Sequence, residues 1–186
     1  LVPAWITGRE FPRIGLRGDR LGRIAGTVGL ACVCVLPIVF LGLWMLTLWS
    51  LPVPLRPIIP QGQSWFAWLV YQFLYVAVAE EVFFRGYVQA NTMKLLSHCG
   101  LNTTSETNPK SEMRNPKCWT ALLVSAAVFA LAHVVVQGQI TSVLTFLPGL
   151  LLAWLFLRTG SLLAPILFHG LANVAYAIMA MLLIPT

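Results

Sequence analysis

SWFAWLVYQFLYVAVAEEVFFRGYVQANTMKLLS, residues 64–97, decides the fold class. Its first half is apolar and aromatic, and then two carboxylates, Glu80 and Glu81, stand side by side. Crossing a bilayer takes about 20 mostly apolar residues, which this stretch supplies. A charge at the centre of an inserted helix costs about 2.5–3.5 kcal/mol, so charges kept there are normally paired, turned to the protein interior and functional. The stretch therefore reads as a membrane helix that carries a polar site. At about 1.5 Å per residue it would be about 51 Å long, against a hydrocarbon core of about 30 Å. It must tilt, bend or project into the cytoplasm.

The rest of the chain agrees with a bilayer as its solvent. Of 186 residues 58% are hydrophobic and only 10% charged, where a soluble domain carries about 25% charged residues. Apolar stretches at 24–50, 118–136, 140–157 and 162–184 bring the expectation to an all-α, polytopic transmembrane bundle of about five spans. The first run is too long for a cleaved signal peptide, and no small-residue cleavage site precedes the proline-rich segment after it. The chain starts at Leu1, so an earlier helix is left open. We expect two parts: residues 1–63, with a basic segment, one helix and a connection, and residues 64–186, with the polar site.

The net charge of +6 raises nucleic acid as a partner, but the bases are gathered at helix ends and form no groove-binding face. Arg9, Arg13, Arg17, Arg20 and Arg23 precede the first span, Lys94, Lys110, Arg114 and Lys117 lie in or near the loop after the second, and Arg158 ends the fourth. Opposite loops hold only Arg56. The positive-inside rule then places the N-terminus in the cytoplasm and the C-terminus outside. Counted from helix ends, His133 falls near the outer end of its span and His169 in the inner part of its own. For the two to meet, the helices must tilt or break at Gly138, Pro148 or Pro165.

Segment 51–63, LPVPLRPIIPQGQ, with four prolines, reads as an extracytoplasmic connection. Segment 98–117 is polar, holds two prolines and reads as a flexible loop, with His98 solvated. Asn102-Thr103-Thr104 matches a glycosylation sequon on the wrong side of the membrane for use. Cys32, Cys34, Cys99 and Cys118 read as structural thiols, with no zinc spacing among them. No internal repeat supports an inverted-repeat transporter.

Glu80 and Glu81 are two of only six acidic residues. Arg85 follows Glu81 by four residues, the favourable order for a helical ion pair, so Arg85 is expected to neutralise Glu81. Glu80 points about 100° away around the helix. Lacking a partner in its own turn, it is the candidate general base. His133 in VFALAHVVV and His169 in LAPILFHGLANV also lie in apolar spans. Phe129 and His133 share a helical face, as do His169 and Asn173. A buried imidazole and carboxamide on one face can both donate to a developing oxyanion, the largest usual contribution in acyl-transfer catalysis. Glu80 and His133 could hold and activate a water. Against this stands the ordinary reading that one membrane histidine is a helix-to-helix bond and one Glu–Arg pair is structural. Phe83, Phe84, Trp154, Met179 and Met181 are taken as core or lipid-facing.

Glu80-Glu81-x-x-x-Arg85, Phe129-x-x-x-His133 and His169-x-x-x-Asn173, in order and each in its own apolar span, resemble the type II CAAX-prenyl endopeptidases and their prokaryotic relatives, the CPBP or Abi family of intramembrane glutamic proteases. The resemblance covers about residues 64–180. It implies an endopeptidase in which Glu80 and His133 activate the attacking water and His169 and Asn173 form the oxyanion hole. Glu81, Arg85 and Phe129 would support them. It also implies no cofactor, although zinc at Glu80, His133 and His169 is a conceivable alternative. The implied partners are the bilayer and a membrane-anchored protein or peptide substrate, not nucleic acid, and the implied location is a prokaryotic inner membrane. The competing readings are a non-catalytic immunity or scaffold protein and a proton-coupled carrier.

Overall fold

The computed structural model of the chain describes residues 18–50, 64–98 and 116–183. The basic N-terminal arginines up to Arg17, the proline-rich connection and the sequon with Cys99 lie outside the described residues. Those described contain five helices long and apolar enough to span a membrane: Leu21–Leu48, Trp65–Leu96, Cys118–Gln137, Ile140–Thr159 and Leu163–Leu183. We call them α1 (Gly18–Leu48), α2 (65–98), α3 (Pro116–Gln137), α4 (Phe146–Thr159, led in by a 3-10 turn at Ile140–Thr145) and α5 (Leu163–Leu183). In the most apolar window of each span no more than 33% is buried. Most of the apolar surface therefore faces outward, as lipid requires of a polytopic bundle.

What packs inside is a narrow seam. Ile24, Val28 and Ala31 of α1, spaced by four and three residues on one face, meet Phe84, Phe129, Leu155 and Phe168 from the other four helices. A second cluster joins Cys118 and Leu122 of α3 to Ala153 and Leu157 of α4. Here the helices approach closely through small residues: a Cβ on Gly149 would lie 3.4 Å from the Cα of Ala126. Such small-residue contacts are the usual means of helix association where lipid removes the hydrophobic drive. Phe84 is buried, Phe83 is exposed, Met179 is buried and Met181 exposed. Trp154 is half-buried and packs against both clusters.

α2 departs from regular helix geometry. Between its α-helical ends, two π-helical stretches, Tyr71–Ala77 and Val82–Gln89, flank the short α-helical segment Val78–Glu81. The length of the stretch called for a tilt, a bend or a projection beyond the bilayer, and the chain in addition widens its turns on both sides of the two carboxylates. α5 is unbroken at Pro165, whereas just ahead of Pro148 the helix passes from 3-10 to α-helical form. Both prolines sit in the first turn of their helices, where the missing N–H has no intrahelical partner to lose. The offset between the histidines is removed otherwise: Leu162, just before α5, lies against Gly86. α5 therefore starts beside the middle of α2, not beside its C-terminal end, and His169 is lifted to the level of Glu81. Gly138 and Gly160 make the turns that close α3 and α4, each in the left-handed region with φ 64° and 63°.

Candidate active site

Glu81 and Arg85 are both fully buried, and Arg85 Nη1 donates to Glu81 Oε1 over 3.0 Å. The expected pair is present. Arg85 also spans to α4, where Nη2 donates to the carbonyl of Gly149 over 3.0 Å. Its guanidinium carbon stands 4.6 Å from the centre of the Phe129 ring, within cation–π range. One turn on, the buried Gln89 Nε2 donates to the carbonyl of Ala153 over 3.1 Å. Ser125 of α3 closes the set by donating to the carbonyl of Phe84 over 3.0 Å. Three helices are thus tied by buried side chains reaching for backbone oxygens.

The same Glu81 Oε1 is 2.7 Å from His169 Nδ1. A carboxylate oxygen accepts, so Nδ1 carries the proton. His133 Nδ1 lies 3.0 Å from the carbonyl of Phe129, which can only accept, so that nitrogen is protonated too. In their neutral forms both rings then present a bare Nε2. Both Nε2 atoms face one oxygen, Glu80 Oε2, each at 3.9 Å. That oxygen is buried and has no hydrogen-bond partner among the described residues, although the Glu80 side chain as a whole is 29% exposed. A gap of 3.9 Å is too long for a direct bond, yet one water about 2.8 Å from each atom would bridge it. Phe129 forms the wall, with its ring centre 4.4 Å from that of His133 and 6.1 Å from that of His169.

Asn173, one turn beyond His169 on α5, donates through Nδ2 to Gln72 Oε1 over 2.9 Å. The structure thus brings Glu80, His133 and His169 around one point, holds Glu81 and Arg85 behind His169, and places Asn173 on the same face of α5. Gln72 was missed by sequence reading for a definite reason. In a regular helix nine residues at about 100° each leave Gln72 and Glu81 on opposite faces. Both nevertheless touch α5, and the π-helical stretch Tyr71–Ala77 between them supplies the missing rotation. Gly170 was missed as well: a Cβ there would sit 2.4 Å from the Phe73 ring, so only glycine lets α5 lie this close to the widened turn. The usable signal was an amide in an apolar helix and a glycine next to a membrane histidine.

Among the described residues no three His, Cys, Asp or Glu side chains are grouped as a metal would need. No curated protein and no solved structure significantly matches the chain. Residues 62–175 match the model of the Rce1-like family, described as type II CAAX prenyl endopeptidase Rce1-like. That stretch holds Glu80, Glu81, Arg85, Phe129, His133, His169 and Asn173, and with more than half of the chain matched, the protein belongs to the Rce1-like family of membrane proteases.

Proposed function

We propose that the protein is a glutamic-type, metal-independent intramembrane endopeptidase that cuts a membrane-anchored protein or peptide. The observation that carries this reading is the convergence of His133 Nε2 and His169 Nε2 on Glu80 Oε2, each at 3.9 Å. A water held between Glu80 and His133 donates one hydrogen to each. Glu80 removes its proton as the oxygen attacks the scissile carbonyl carbon, and that proton passes to the departing amine. The developing oxyanion receives hydrogen bonds from His169 and Asn173. For this His169 must carry a proton on Nε2 as well as on Nδ1, and Glu81 is the counter-charge to that doubly protonated ring. Arg85 in turn balances Glu81, and Phe129 keeps bulk water out. The ring nitrogens turned away from the centre are engaged by a carboxylate and a carbonyl, which fixes both imidazoles with Nε2 toward Glu80. The distribution of basic residues supports a cytoplasmic N-terminus; the proposed location is a prokaryotic inner membrane, with lipid and the substrate, and no nucleic acid, as partners.

The test compares protein termini in membranes of cells that carry the wild type and cells that carry Glu80→Gln at matched expression. Termini that form only with the wild type, while the variant stays folded and inserted, establish proteolysis and identify the substrate. Identical profiles would replace the enzyme with a scaffold or immunity protein. Proton flux in proteoliposomes would instead mark a carrier.

A further inference from the structure

Gln72 has no part in the chemistry described so far, yet it is buried within a membrane span, with 7% of its surface exposed. A primary amide without a partner in such a place is costly. Its Oε1 accepts from Asn173 Nδ2 over 2.9 Å, and no other partner of Nδ2 is found among the described residues. Two irregular features meet at this contact. The π-helical stretch Tyr71–Ala77 turns Gln72 from the far side of α2 toward α5. Gly170 lets the ring of the adjacent Phe73 pack where any Cβ would collide at 2.4 Å. Widened helical turns of this kind are frequent at functional sites.

We propose that Gln72 is a positioning residue of the reaction: it fixes the carboxamide of Asn173 so that Nδ2 offers its second N–H to the oxyanion. Nδ2 carries two hydrogens. With one directed at Gln72 Oε1, the amide plane is set and its oxygen is kept away from the direction Nδ2 faces. Without Gln72 the amide turns about its last bond and presents oxygen or nitrogen to the oxyanion, and the oxygen repels it. The proposal rests on the oxyanion role of Asn173 given above.

The experiment is a double-mutant cycle on the rate at which the Glu80-dependent termini appear in isolated membranes. It uses the wild type, Gln72→Met, Asn173→Ala and the double variant, with folded protein quantified for each. Asn173→Ala is expected to slow the reaction about 100-fold, and Gln72→Met about 10-fold or more, since misplacing a group can cost up to about 100-fold. On the Asn173→Ala background Gln72→Met should have no further effect. If Gln72→Met does not accumulate, Gln72→Asn, which is one methylene too short to reach, takes its place with the same expectation. Equal slowing on both backgrounds, or a normal rate in Gln72→Met, would overturn the positioning role while the protease reading stands. A normal rate in Asn173→Ala would remove the oxyanion assignment itself, and with it the role of Gln72.

Discussion

At Glu81 one carboxylate oxygen serves two donors, Arg85 Nη1 at 3.0 Å and His169 Nδ1 at 2.7 Å. Neither the acid nor the arginine has any exposed surface. Removing one member of such a pair leaves a buried charge uncompensated, at about 3–5 kcal/mol. Arg85→Met is therefore expected to lower thermal stability in detergent by about that much. Glu81→Gln together with Arg85→Met should cost less than the sum of the two single changes, because no lone charge remains. Additive unfolding midpoints would show that the pair is not coupled. This contact was legible in the sequence because it is local: acid and base four residues apart on one helix need no tertiary knowledge. His169 as the third partner was not, since it stands 88 positions away. Its apolar surroundings marked it as unusual without saying which of its nitrogens is spoken for.

Element geometry is where sequence reading had least purchase. Periodicity assumes about 100° per residue, and α2 breaks that assumption twice, at Tyr71–Ala77 and Val82–Gln89. The five spans and the faces of α3 and α5 followed from spacing because those helices are regular there, whereas no residue type announces a π-helical turn. The close approach of α5 to the first of these turns gives a direct test. Gly170→Ala places a methyl 2.4 Å from Phe73, and overpacking of this sort costs about 1–3 kcal/mol. The variant should melt lower and cleave more slowly, and Phe73→Leu in the same chain should recover much of both. Failure of Phe73→Leu to compensate would mean that the strain falls elsewhere.

On the scale of the whole molecule, the bundle is held by a thin apolar seam and by polar side chains that bond to backbone carbonyls across helices. Among the described residues α1 joins the core through Ile24, Val28 and Ala31, with Cys32 and Val35 packed beside them, and it lies outside the matched stretch 62–175. In the proposed reaction every proton is handled by side chains of α2, α3 and α5. Prolonged dialysis against a strong chelator should thus leave the Glu80-dependent termini forming at an unchanged rate, with metal content measured on the dialysed protein. A loss of activity restored by added zinc would return the Glu80, His133 and His169 set to the role of ligands.

The spacing of Glu81 and Arg85 also bears on how the chain enters the bilayer. Their bond closes within a single turn of α2, so it can form with that helix alone and needs no contact with α3, α4 or α5. α2 can then partition from the translocon into lipid with one pair already neutralised and only Glu80 awaiting company. Had the counter-charge been placed on a later helix, α2 would have had to wait at the lateral exit with two bare acids, or be pushed through whole. The order of synthesis, and not the finished bundle alone, favours an arginine four residues after the acid it pairs with.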